Sequence, residues 1–153
     1  MTTVTEHCER ANRTYQVQKR VLVEEAGGPR DALAMLEIWD ATGMMHLVAV
    51  QRPELGAVCE AASRGQFTAG VAVEAVVYSS DAIQRSFDER TGETGEPHEV
   101  LTTLAVEAAG EFATLVQPYS YEGGRIVMGV PEVHHLVDST VLEDLRRAFQ
   151  ASE

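Results

Sequence analysis

The stretch that decides the fold is VLTTLAVEA-AGE-FATLVQPYSY-EGG-RIVMGV, residues 100–130. It contains three runs rich in β-branched and apolar residues, Val100–Ala108, Phe112–Tyr121 and Arg125–Val130, a composition typical of strands. Three residues, at least one of them glycine, separate each run from the next. Because short glycine turns join antiparallel neighbours, the stretch predicts a three-stranded meander.

Two further strand signals precede the meander. Val71–Tyr78 is a run of apolar residues that predicts a strand buried on both faces. Leu33–Trp39 and Met44–Val50 flank the turn sequence Asp40–Gly43, which predicts a hairpin. The helix formers at 34–37 favour a helix instead, but a hairpin explains both flanks.

Three segments predict helices. Residues 4–25 carry apolar side chains at helical spacing and precede Gly27-Gly28-Pro29, which ends a helix. Their second half also alternates with period two around Lys19, so a strand over 15–24 is the open alternative. A short helix begins at Pro53 and ends near Gly65, and a third is capped by Asp138-Ser139.

The order of these elements predicts an α+β fold, with a mostly antiparallel sheet of about five to six strands and helices packed on it. A chain of 153 residues is the length of one domain, so residues 1–153 are expected to form a single unit. Residues 88–97 are charged and punctuated by glycine, which predicts a mobile loop.

Two resemblances concern this organisation. The plan of hairpin, helix and three strands is similar to that of roadblock, profilin-like and PAS or GAF sensor domains. The valine-rich run Val76–Ala82, a charged loop and Glu99–Val106 together resemble small uncharacterised proteins of actinobacteria and their phages. The resemblances imply a fold and a source, and neither carries a functional residue onto this chain.

The charge balance restricts the partners. Twelve Lys and Arg against 24 Asp and Glu give a net charge of −12, which excludes free nucleic acid as an expected ligand. The same sign suits an acidic decoy, or a phage-encoded inhibitor of a host protein, with a basic partner. No run approaches the ~20 apolar residues of a membrane helix and no export signal is recognisable, so a cytoplasmic protein with no membrane partner is expected.

Three residues near the Val71–Tyr78 run are candidates for catalysis. Glu74 interrupts the run and, if its face were covered, would be a buried carboxylate of the kind that clusters at functional sites; the simpler interpretation exposes it. Ser80 and Asp81 follow the run at a predicted strand end, where they would act as a nucleophilic site or, more simply, cap a turn or helix. A hydrolase-like enzyme is therefore one alternative.

A second alternative for such an enzyme is the group His134, His135 and Asp138, which His46 or His98 would join through the fold. A metal needs three or four convergent donors, and adjacent histidines in an extended segment point to opposite sides. The sequence therefore predicts no metal site and no cofactor.

The aromatic residues suggest a surface. Tyr119 and Tyr121 lie two apart and share one face of a strand, and with Tyr78 they are the candidate ligand or partner surface. Cys59 is expected in the core, whereas Cys8 near the N-terminus is expected to be exposed and oxidisable.

These observations favour a small acidic binding or protein-interaction module without catalytic activity. Catalysis is not expected, because no motif for a reaction is present. The expected partner is another protein or a second copy of the same chain, as in a homodimer.

Overall fold

The computed structural model describes residues 2–87, 94–133 and 138–149. Its elements in chain order are α1 (Val4–Ala26), β1 (Met35–Asp40), β2 (Met45–Ala49), α2 (Leu55–Ser63), β3 (Val73–Phe87), β4 (Thr94–Glu107), β5 (Phe112–Glu122), β6 (Arg125–Met128), β7 (Glu132–Val133) and α3 (Ser139–Arg146). A 3-10 turn precedes α2 and another follows α3.

The strands form one curled antiparallel sheet in the order β2-β1-β3-β4-β5-β6, with β7 also pairing with β5. The α+β class is confirmed, as are the hairpin and the antiparallel meander. The sheet has seven strands rather than five to six, because the chain resumes pairing with β5 after a break at Gly129–Pro131.

The prediction of a loop over residues 88–97 is wrong for residues 94–97, which belong to a strand. β4 begins at Thr94, and Pro97 pairs with Arg85 of β3. The β3–β4 hairpin is therefore longer on both sides than the apolar runs indicated. Residues 88–93 lie outside the described residues.

Helix α1 is a single helix over the whole predicted segment, so the alternative strand at 15–24 is wrong. Thr3 Oγ1 caps it by accepting from the Glu6 N–H at 3.1 Å. Gly27, at φ 70°, ends it in the left-handed conformation that glycine adopts without strain. Its buried side recurs every three or four residues and includes Cys8, Tyr15 and Lys19.

The two faces of the sheet are covered by different helices. One face contributes Val77, Ala105 and Leu115 to a cluster with α1 that contains Cys8. Cys8 is therefore buried, and the expectation that it is exposed is wrong. On the other face, α2 and α3 pack on a larger cluster that includes Leu36, Ile38, Val76, Tyr78, Leu104, Cys59, Leu142 and Leu145.

Asp40 fixes the turn of the β1–β2 hairpin. Its carboxylate accepts from His46 Nε2 at 2.9 Å, from the Thr42 hydroxyl at 2.6 Å, and from the backbone N–H groups of Thr42 and Met44. These hydrogen bonds, led by the one with His46, hold the pKa of Asp40 well below its ordinary range. The ionised Asp40 carboxylate therefore stabilises the turn of the β1–β2 hairpin.

In the part of the chain that the structure describes, none of the helices is both long and apolar enough to cross a membrane.

Candidate functional site

A buried polar cluster joins α1 to the sheet. The Lys19 ammonium lies 2.5 Å from Asp81 Oδ2 and also donates to the Arg30 carbonyl. The Tyr119 hydroxyl donates to Asp81 Oδ1 at 2.5 Å, and the Ala32 N–H donates to Asp81 Oδ2 at 3.2 Å. The Lys19 side chain is 0% exposed. The Lys19 ammonium, the Asp81 carboxylate and the Tyr119 hydroxyl therefore each form a hydrogen bond within the cluster.

The protonation states of Lys19 and Tyr119 suit a structural role for this cluster. Burial by itself lowers the pKa of Lys19, but the hydrogen bonds and charges of Asp81 and Tyr121 outweigh burial and leave that pKa raised. The amine is therefore a cation and not a nucleophile at neutral pH. Burial, followed by the hydrogen bond to Asp81, raises the pKa of Tyr119, so its phenol stays neutral.

Ser80 and Asp81 lie in the middle of β3, so their predicted position at a strand end is wrong, as is their role as a turn or helix cap. Because neighbouring residues of a strand face opposite sides, the Ser80 side chain points away from the Lys19 cluster. The Ser80 hydroxyl lies 2.7 Å from the Thr102 hydroxyl, across the β3–β4 pair. Among the described residues, no acid or histidine hydrogen-bonds to Ser80.

Glu74 is exposed at the start of β3, so its interpretation as a buried carboxylate is wrong and the solvent-facing one is confirmed. It is six residues from Ser80 along an extended strand, a span of about 20 Å at ~3.3 Å per residue. The predicted catalytic candidates Glu74, Ser80 and Asp81 therefore do not converge on one point.

The three tyrosines do not form one surface. Tyr119 and Tyr121 share the α1 face, where their rings make an edge contact at 5.7 Å between centroids, but Tyr119 is buried and Tyr121 is partly buried. The Lys19 ammonium lies 4.8 Å from the centre of the Tyr119 ring. Tyr78 is buried on the opposite face and donates to the Val50 carbonyl at 3.2 Å.

The candidate metal group is only partly within the described residues, since His134 and His135 lie outside them. Asp138 caps α3 by accepting from the Thr140 N–H at 2.9 Å and the Val141 N–H at 3.4 Å. No group of three or more metal-ligating side chains occurs in residues 2–87, 94–133 and 138–149, which include His46 and His98.

A group of exposed apolar side chains lies around β2, which stands at one end of the strand order. β2 reads Met45-His46-Leu47-Val48-Ala49, with no formally charged residue and no proline. Leu47 is 48% exposed, and Met45 and the adjoining Met44 are exposed too. An edge strand presents unpaired backbone N–H and C=O groups, and charges, prolines or bulges normally protect it from other chains. β2 has none of these protections.

The opposite end of the sheet is protected. The β6–β7 edge begins with Arg125, is broken at Gly129–Pro131, and resumes with Glu132. The Gly129 N–H donates a hydrogen bond to the Pro118 carbonyl at 2.7 Å, and the Gln117 side-chain amide donates one to the Gly129 carbonyl at 2.8 Å. This edge carries exposed valines, but its irregular backbone offers no continuous ladder.

The apolar area beside β2 continues onto the neighbouring helix. Met35 of β1 lines two depressions, one with Met45 and Leu47 and the other with the exposed Leu33 and the α1 side chains Val17 and Val21. Charged residues also line them, among them Arg10 and Glu37 in the first and Arg30 in the second. We call this set, Val17, Val21, Leu33, Met35, Met45 and Leu47, the β2 surface. A group of exposed apolar side chains with polar residues around it is typical of a protein-interaction site.

The β2 surface was not among the surfaces predicted from the sequence. The sequence feature that could have indicated it is the absence of charged residues from the stretch MHLVA, residues 45–49, in a chain in which one residue in four is charged. That signal becomes informative only when the strand is known to lie at an edge.

No family model, curated protein or solved structure matches this chain. The resemblances to roadblock and sensor domains and to actinobacterial and phage proteins therefore stay predictions.

Proposed function

We propose that this chain is a non-catalytic protein-interaction module that associates with a second copy of itself through the edge of β2. The observation that carries the proposal is an edge strand without charge or proline, beside exposed Met44, Met45 and Leu47, in a sheet whose other edge is broken. Strand addition at such an edge completes backbone hydrogen bonds that one copy leaves to water.

A second copy suits this edge because antiparallel pairing of β2 with itself is self-complementary. A two-fold axis at Leu47, the middle residue of the strand, sets Leu47 against its own copy and Met45 against Ala49 of the second copy. All of these residues lie on one face by alternation. β2 contains no formally charged residue, so pairing two copies of it sets no like charges opposite each other. This is favourable in a chain with a net charge of −12, whose copies repel each other elsewhere.

The proposal that the module is non-catalytic is supported by the separation of the candidate groups. Asp81 is engaged by Lys19 on one face, Ser80 is bonded to Thr102 on the other, and Glu74 is exposed at the strand start. We place the module in the cytoplasm, because its two cysteines are free, as is usual in a reducing compartment.

Sedimentation velocity on two matched variants tests the proposal. Leu47→Lys adds a charge at the centre of β2, while Val127→Lys adds the same charge to β6 at a residue of similar exposure, 44% against 48%. We expect Leu47→Lys to sediment as a monomer and Val127→Lys to retain the dimer of the wild type. Dimers of equal affinity in both variants would contradict pairing through β2.

A further inference from the structure

Among the described residues, the two exposed methionines lie side by side where β2 begins. Met44 is 61% exposed and Met45 39%, whereas Met35 and Met128 are partly buried against a core cluster. The Met44 N–H donates to the Asp40 carboxylate at 3.2 Å, so the backbone that presents these thioethers is held in place. The most accessible thioethers of the described chain therefore lie at one end of its free sheet edge.

The hydrogen bonds between β1 and β2 place both methionines inside the proposed pair of copies. The N–H groups of Asp40 and Val50 each donate across these strands at 3.0 Å, the first of them to the Met44 carbonyl. The paired stretch therefore extends three residues to either side of Leu47. A two-fold axis at Leu47 sets Met44 opposite Val50 of the second copy, and Met45 lies between them and the axis.

The thiols of this chain are much less accessible than these thioethers. Cys8 and Cys59 are buried, and burial is the main cause that raises the pKa of each thiol to about 12. Because susceptibility to oxidation follows thiolate character and exposure, both thiols should react slowly. A peroxide that meets the dissociated chain therefore reaches Met44 and Met45 first.

We infer that Met44 and Met45 form an oxidation site through which a hydroperoxide controls the self-association of this chain. The inference rests on the proposed pairing through β2. The thioether sulfur attacks one oxygen of hydrogen peroxide, the O–O bond breaks and an S–O bond forms. The sulfur loses two electrons and becomes a sulfoxide, while the peroxide is reduced to water. In the reverse reaction a dithiol is oxidised to a disulfide, and the sulfoxide oxygen leaves as water.

Oxidation should prevent the chain from pairing again. A sulfoxide is polar and accepts hydrogen bonds, and the residues opposite it, Ala49 and Val50 of the second copy, have no side-chain donor. Burying an acceptor without a partner costs free energy, so pairing should weaken at least about ten-fold. Pairing in turn covers both methionines, so the dissociated chain is the form that is oxidised.

Treatment with hydrogen peroxide, followed by peptide mass spectrometry and sedimentation velocity, tests this inference. We expect Met44 and Met45 to be oxidised before Met35 and Met128, and the dimer fraction to fall as the first two are modified. A higher protein concentration should slow oxidation of Met45 in the wild type, but not in Leu47→Lys. Methionine sulfoxide reductases should restore the dimer.

Matched variants separate these two residues from other effects of peroxide, with each variant compared with its own untreated sample. Met44→Leu/Met45→Leu removes both thioethers at nearly constant volume, so peroxide should not change its dimer fraction. Met128→Leu removes a partly buried thioether of β6 and should lose its dimer on oxidation, as the wild type does. Met44→Gln/Met45→Gln places polar amides at both positions and should weaken the dimer without any oxidant.

Three results would overturn this inference and leave the pairing through β2 in place. They are oxidation of Met128 as rapid as that of Met44, a dimer that persists when Met44 and Met45 are fully oxidised, and loss of the dimer on oxidation of Met44→Leu/Met45→Leu. A wild type that is monomeric before any peroxide is added would instead overturn the pairing, and this inference with it. The two failures are therefore distinguishable.

Discussion

Lys19 and Asp81, 62 residues apart in the chain, form the most deeply buried ion pair among the described residues, with side chains 0% and 7% exposed. The pair joins α1 to the centre of β3, and the Tyr119 hydroxyl completes it from β5. Three elements that are distant in sequence are therefore held by one carboxylate. The attraction offsets the cost of removing both charges from water only while the pair is intact.

Replacing Lys19 with Met leaves the Asp81 carboxylate buried without its cation. We expect the free energy of unfolding, measured by urea denaturation, to fall by about 3–5 kcal/mol. The matched control is Arg64→Met, because Arg64 pairs with Glu60 at the surface and its loss should cost at most about 1 kcal/mol. Equal losses in the two variants would show that the buried pair does not hold α1 in place.

The hairpin turn predicts a pH dependence. Because the pKa of Asp40 is lower in the folded chain, this group stabilises the fold above its unfolded value near ~3.9, and loses that contribution as the pH falls towards the folded value. We therefore expect wild type to melt above Asp40→Asn at pH 6, with the difference shrinking steadily below about pH 4. A difference in melting temperature that is the same at pH 6 and pH 3 would refute this role.

The two thiols should be inert in the folded chain. Burial is the main cause that raises the pKa of Cys8 and of Cys59, each to about 12. Since the thiolate is the reactive form, we expect no labelling of native protein by a thiol-specific disulfide reagent at pH 8, and labelling of both cysteines in guanidinium. Rapid labelling of either residue without denaturant would place that cysteine outside the core.

The loop after α2 depends on a glycine for two reasons. Gly65 has φ +82°, and an added Cβ would lie 2.8 Å from the Cα of Gly70. Gly43 has a similar φ of +87° but nothing within 4 Å of an added Cβ. Gly65→Ala should therefore lower the free energy of unfolding by at least about 1 kcal/mol more than Gly43→Ala, because only Gly65→Ala adds a steric clash. Equal thermal shifts would contradict the close approach of Gly65 and Gly70.

Local signals in the sequence predicted most of the fold. The turn at Asp40–Gly43, the glycines after α1 and the Asp138 cap each act within a few residues, so each was visible in the chain. The long β3–β4 hairpin was underestimated, because its polar second half looks like a strand end until the cross-strand partners are known. Ser80, for example, is satisfied by Thr102.

The candidate surface was predicted less well, because exposure depends on which elements cover which strands. The period-two alternation around Lys19 left a strand open as the alternative to the helix, yet Lys19 lies on the buried side of α1 because Asp81 neutralises it there. Tyr119 and Tyr121 were correctly placed on one face, but α1 covers that face. The exposure of Leu47 follows from strand order, which the sequence does not state.

Self-association through β2 can be measured on the wild-type chain by native mass spectrometry. We expect a particle of twice 16.7 kDa that dissociates on dilution, and a particle of 16.7 kDa for Leu47→Lys under the same conditions. A wild-type particle of 16.7 kDa at every concentration would contradict the claim, as would a dimer that Leu47→Lys leaves intact.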